Sequence, residues 1–255
     1  MSPVRPFGPL ERVLRFALAW MVFAPTATLV LLAAPFLLPW RGVRVRLSYR
    51  AMNAIGPAVF AALGIPLDAR PPRELEPLTP AIFVINHSSS LDTPLTISWL
   101  PPGTCGVAKK EALYVPIFGQ AYWLSGHLLL DRKNPERARA SMDRLVAVMK
   151  RHRLGVVMSP EGTRSADGRL KAFKKGFAHI ALATRLPVVP IVITGAQHAW
   201  PARTLRLAPQ PVRLRALAPI PTDDWRPETL DEHVQQVWQV LADALPEDQK
   251  PLPAE

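Results

Sequence analysis

The stretch "FVINHSSSLDTP", Phe83–Pro94, sets His87 five residues before Asp92. The apolar run 81–85 reads as a buried strand, and the run from Thr93 to Leu100 as a helix. Asp92 then falls at or near the N-terminus of that helix, where free amides and the helix dipole favour a carboxylate. A carboxylate bonded to one imidazole nitrogen fixes the tautomer and leaves the other nitrogen to act as a base. The plainer reading is a capping aspartate and a satisfied loop histidine, and an isolated His-x4-Asp does not decide between the two.

A nucleophile would complete a hydrolase site, but no G-x-S-x-G elbow occurs. Ser88, Ser89 and Ser90 lie too close along the chain to His87. Cys105, in "GTCGVA", has no neighbour that would lower its pKa. The base is therefore expected to act on a substrate hydroxyl. One-step acyl transfer from a thioester suits this, because a thiolate leaves readily without a strong acid or an acyl-enzyme.

Two further constellations sit at strand ends. "MSPEGTRSADGRLKAFKKG", Met158–Gly176, turns through Pro160, Glu161 and Gly162 and then supplies Arg164, Arg169, Lys171, Lys174 and Lys175. An arginine on a tight turn makes a phosphate clamp, since the guanidinium binds phosphate oxygens in pairs. Read alone it is equally a solvated basic loop. "GHLLLDRKN", Gly126–Asn134, ends in Asp131 and Arg132, which alone read as a structural ion pair.

Taken together, the blocks resemble the glycerolipid acyltransferase family. Its N-H-x4-D block is similar to Asn86, His87 and Asp92, and its G-x4-D-R block to Gly126, Asp131 and Arg132. Its P-E-G-T-R-S block corresponds to the run Pro160–Ser165, and its V-P-[IV] strand to Val189–Val192. Order and spacing agree over 81–194. The resemblance implies His87 as general base, Asp92 as its orienting partner and Arg164 as ligand of the acceptor's phosphate. Glu161, Gly162, Thr163 and Arg132 would complete the acceptor site. It implies no cofactor, with acyl-CoA or acyl carrier protein as co-substrate, and a lysolipid such as lysophosphatidic acid as acceptor. Ser159 stands where Phe is usual, and Leu128–Leu130 where Ile-Phe-Ile is common. These departures bear on the acceptor, so another lysolipid is the alternative. A peripheral membrane-binding protein on the same fold is the non-enzymatic one.

The 255 residues suffice for one large core, and 49% hydrophobic content excludes a disordered chain. A net charge of +11 favours an anionic partner. The uncharged run Phe16–Pro39 argues for an anionic membrane surface and against nucleic acid. As a helix it would reach about 36 Å, enough for a hydrocarbon core; Pro25, Pro35 and Pro39 would kink or shorten it. A second apolar segment spans 51–65, and arginines flank both, so a membrane-associated helical pair is expected, spanning or dipping into one leaflet. The resemblance extends this to a bacterial inner membrane with the catalytic domain on the cytoplasmic side. One cysteine rules out an internal disulfide and fits a reducing compartment.

Strands are expected at 81–85, 105–108, 127–130, 155–158 and 188–193, with 205–207 and 212–217 pairing at an edge. Helices are expected at 93–100, 135–152, 175–185 and 230–245. The alternation predicts an α/β fold with a mixed, largely parallel central sheet flanked by helices and preceded by the helical pair. The domain reading is 1–67 membrane-associated helices, 68–80 proline-rich linker, 81–245 acyltransferase domain and 246–255 loose tail.

Overall fold

The computed structural model describes residues 4–69, 72–115, 117–131 and 134–252. Seven strands form one sheet: β1 (Leu67–Ala69), β2 (Ile82–Ile85), β3 (Thr104–Lys109), β4 (Leu128–Leu130), β5 (Gly155–Met158), β6 (Val188–Thr194) and β7 (Val212–Ala216). Their order is β1-β7-β6-β2-β5-β3-β4. β6, β2, β5, β3 and β4 run parallel, β7 is antiparallel to β6, and β1 is parallel to β7. The sheet is thus mixed and largely parallel, as the alternating pattern predicts.

Both faces of the sheet are covered. Alternation along β2 sends Phe83 and Ile85 to one face, and Ile82 and Val84 to the other. The first face meets α1 (Pro9–Ala33), α2 (Arg41–Leu63) and α3 (Asp92–Trp99), with α4 (Phe118–Leu124) beside α1. The second meets α5 (Pro135–His152), α6 (Gly176–Thr184) and α8 (Leu230–Ala244). The short α7 (Ala196–Ala199) follows β6.

The N-terminal pair is a hairpin with two surfaces. α1 tolerates Pro25 within it and runs into a 3-10 turn, Ala34–Leu37. Its outer side shows Met21, Leu29, Leu32 and Phe36 to the surroundings, an apolar face suited to a membrane. The inner side of the pair is protein core: Val45, Tyr49, Phe60 and Leu63 are buried in one cluster with Phe83, Val157 and Val189. The arginine-rich stretch after Trp40 is the opening of α2. There Arg41 donates to Gly126 O at 3.0 Å, Arg44 donates to Leu124 O, and Arg46 donates to His152 O at 3.1 Å. These guanidinium groups satisfy carbonyls at helix ends that have no partner within their helices.

Three stretches differ from the expected pattern. Residues 205–207 form no strand; Leu207 O instead accepts the Phe7 N–H at 2.9 Å, and the neighbour of β7 at the edge is β1. The proline-rich stretch carries that β1 strand and a 3-10 turn, Pro72–Leu78, that buries Leu75. The stretch after α8 is docked through Lys250: Gln249 is buried and donates to Ile193 O, while Arg169 reaches Glu247 O and Lys250 O. A glutamine that satisfies a buried carbonyl holds that stretch where composition alone suggests a loose end.

Candidate active site

Asn86 ends β2 in a specific way. Its side-chain amide accepts the Ile193 N–H and donates to Ile193 O, both at 2.8 Å. The amide thus takes the ladder positions that a continuing strand would fill, and the backbone is free to leave the sheet at His87.

His87 Nδ1 lies 2.7 Å from Asp92 Oδ2. The same oxygen accepts the N–H groups of Ser88 and Ser89, each at 2.9 Å. Three donors converge on one carboxylate oxygen, which fixes Asp92 as the acceptor and His87 Nδ1 as the protonated nitrogen. Nε2 is then the nitrogen left to take a proton. Asp92 is fully buried, whereas 19% of the His87 side chain is exposed, so the pair has a shielded inner end and an open outer end.

The P-E-G-T-R-S loop packs directly on this pair. Glu161 Oε1 accepts the His87 N–H at 2.7 Å, and Oε2 accepts the Lys171 N–H at 3.1 Å. His87 O accepts the Ser165 N–H at 2.8 Å. Burial pushes the Glu161 carboxyl up to about 7, against the lowering effect of its two backbone bonds. Gly162 turns the loop with φ +76, and a Cβ there would press on Lys174 at 3.2 Å. Thr163 points to solvent. Arg164 is half-buried, and its Nε is buried without a hydrogen-bond partner. Arg132 lies outside the described residues; Asp131, beside it, is 3.7 Å from both Lys110 and Arg137.

Arg164 also lines a cavity of about 520 Å³ enclosed by the helical pair, α3 and α4. Ser90, Thr93 and Trp200 line it near the histidine loop, with the ring of Phe16 of α1 tilted against Trp200, centroids 4.9 Å apart. Its walls are apolar, among them Trp20, Phe23, Met52, Ile97 and Phe118. Along α1 it extends from Phe16 to Val30, about 21 Å of helix. The far end holds Ser48 and His127. His127 Nδ1 accepts the Gly106 N–H at 3.2 Å, and burial holds this imidazole neutral, down to about 3. A long apolar slot lined at one end by the Arg164 guanidinium and by Ser90 and Thr93, close in sequence to His87, suits a substrate with an acyl chain and a phosphate. Motif reading found the polar end of this site and missed its apolar half. The only signal for that half was the helical spacing of Ser48, Met52, Val59 and Leu63 along α2. Among the described residues no cluster of His, Cys, Asp and Glu is arranged to hold a metal.

Comparisons with known proteins agree with this geometry. Residues 69–194 match the family described as Acyltransferase. The chain is 42% identical over 217 residues to a 1-acyl-sn-glycerol-3-phosphate acyltransferase of Limnanthes alba, covering 85% of this chain and 76% of that one. It is 38% identical over 240 residues to the Cocos nucifera protein of the same name, covering 94% and 77%. The fold is shared with the crystal structure of the 1-acyl-sn-glycerophosphate (LPA) acyltransferase PlsC from Thermotoga maritima. The TM-score is 0.73 at 24% identity, over 92% of this chain and 95% of that one.

Proposed function

This chain belongs to the glycerolipid acyltransferase family that includes the 1-acyl-sn-glycerol-3-phosphate acyltransferases, and from that premise we propose that its acceptor is lysophosphatidic acid and its product phosphatidic acid. It is an acyltransferase that acts on a lysophospholipid with an acyl thioester, acyl-CoA or acyl carrier protein, as donor. The observation that carries the finer reading is Arg164: a guanidinium with an unpartnered buried nitrogen stands where the histidine loop meets an acyl-sized cavity. An acceptor whose headgroup is a bare phosphate pairs with that fork and leaves its hydroxyl for His87.

In this reading the donor's chain lies in the cavity and its thioester carbonyl at the mouth. His87 Nε2 takes the proton of the acceptor hydroxyl as that oxygen attacks the carbonyl carbon. The C–S bond breaks, and the departing thiolate receives the proton from the imidazolium. Asp92 stabilises the imidazolium while it carries the charge. Glu161 holds the histidine loop against the arginine loop, Gly162 gives the sharp turn, and Thr163 takes the acceptor's outer edge; the family's G-x4-D-R block assigns Arg132 to the acceptor as well. The helical pair serves as membrane anchor and as cavity wall. The same reading places the site on the cytoplasmic side of a bacterial inner membrane, whose anionic leaflet suits a chain of net charge +11.

The test is a panel of lysolipids against one thioester donor with the purified full chain in detergent. Lysophosphatidic acid should give the highest kcat/KM. A higher value for a lysolipid with a larger headgroup would assign the chain to that acceptor instead.

A further inference from the structure

Between β3 and β4 lies an apolar surface that the acyl-transfer chemistry does not use. Tyr114 is 75% exposed and Trp123 49%, and Val115 and Ile117 are exposed beside them. The surface has a fixed shape. Gly119 N donates to Val115 O at 2.8 Å, and Gln120 Nε2 donates to Leu113 O at 2.8 Å. A Cβ on Gly119 would fall 2.2 Å from Ala112 O, so only glycine fits the turn. Ile117 sits at φ 64, ψ −54, a strained conformation for a β-branched residue. The chain accepts strain here to turn an apolar side chain outward, which is unfavourable if that side chain faces water.

The patch is continuous with the apolar outer face of the helical pair. α4 packs on α1, and the carbonyls of Leu124 and Gly126 that follow it are bonded by Arg44 and Arg41 of α2. Lys109 and Lys110 precede the patch and are exposed. Basic residues, a tyrosine, a tryptophan and aliphatic side chains in one surface match a lipid interface, where aromatic rings sit at headgroup level. We propose that residues 112–115 and 117–123 form a second membrane-contacting element, inserted into the same phospholipid leaflet as α1. Val115 and Phe118 of this segment also wall the acyl-sized cavity. Insertion therefore sets the side wall of the cavity against the leaflet that holds the lysolipid, and a chain leaving the cavity meets lipid and not water.

The experiment uses the full chain with a fluorophore on a single added cysteine; the native Cys105 is buried and stays unlabelled. Labels go at Tyr114→Cys and Trp123→Cys, at Phe36→Cys on the α1 side as the lipid-facing reference, and at Glu232→Cys on α8 as the solvent reference. Vesicles of phosphatidylethanolamine and phosphatidylglycerol carry a nitroxide on the acyl chain. The labels at 114 and 123 should be quenched comparably to 36, with 232 unaffected. Quenching at 114 and 123 no greater than at 232 overturns the proposal. So does shielding of these labels that grows with protein concentration in the absence of vesicles, which would assign the patch to a second copy. The quenching readout is independent of acyl transfer, so it stands or falls apart from the acceptor assignment. As a second arm, a Tyr114→Glu, Trp123→Glu variant should lose about tenfold or more of its activity on vesicle-borne lysolipid. Its activity on a short-chain soluble acceptor should be unchanged, and equal loss on both acceptors contradicts insertion.

Discussion

The backbone N–H of His87 donates to Glu161 Oε1 at 2.7 Å, across 74 positions of sequence. This bond joins the loop of the candidate base to the loop of the candidate phosphate ligand. Glu161's other oxygen takes the Lys171 N–H, so one buried carboxyl braces both sides of the site.

Burial of that carboxyl gives a pH signature. Its value rises from 4.5 to about 7 on folding. Between those limits the folded protein keeps a proton that the unfolded chain releases. The stabilisation is fully present below about pH 4.5 and is lost as pH rises through 7. A shift of this size corresponds to roughly 3 kcal/mol. Glu161→Gln removes the titration. Moving from pH 5 to pH 8, the variant should gain about 2–3 kcal/mol relative to the wild type, read from denaturant midpoints in detergent. A constant difference across that range would place the titration elsewhere.

Asp92→Asn should cut turnover by about 10²-fold or more. The amide can still accept a hydrogen bond, but it carries no charge to offset an imidazolium. Because Asp92 Oδ2 also accepts the Ser88 and Ser89 N–H groups, the melting temperature should fall as well. A correctly folded variant with near-normal kcat would show that the carboxylate does not support the histidine.

Arg164→Lys keeps the charge and loses the planar fork. The KM for lysophosphatidic acid should rise several-fold or more while the KM for the thioester stays close to its wild-type value. Steady-state kinetics with each substrate varied in turn makes the distinction, and equal rises in both constants would mark Arg164 as a structural residue.

The polar half of the site was legible because its residues cluster in short, fixed spacings at strand ends: His87 with Asp92, Glu161 with Arg164. The sheet was legible because β2, β5 and β6 are near-continuous apolar runs that only a strand buried on both faces needs. Two things were not. The role of α2 was hidden, since its Arg41, Arg44 and Arg46 look like solvent or headgroup residues until the carbonyls they bond are brought near by the fold. β1 was hidden because Leu67–Ala69 is too short to carry a period and stands beside prolines. Its pairing with β7 joins segments far apart in the chain, and no local pattern encodes that.

The packing of α2 makes the N-terminal pair more than an anchor. Deleting residues 1–68 removes buried Val45, Tyr49, Phe60 and Leu63, each worth about 1.5–3 kcal/mol when fully buried. It also removes two of the three residues of β1. The truncated chain should aggregate or melt without a cooperative transition, in detergent as in buffer. A soluble fragment with a sharp transition and activity on short-chain acceptors would show that the α/β layer stands alone.

The most direct measurement compares wild type with His87→Ala for transfer of a labelled acyl chain from acyl-CoA or acyl carrier protein to lysophosphatidic acid. The product is read as phosphatidic acid, and both proteins are checked for equal melting temperature. The wild type should form phosphatidic acid in many turnovers, and the variant should be slower by about 10²-fold or more, the scale of a lost general base. Transfer by the folded variant at close to the wild-type rate would contradict the assignment of His87 as the base.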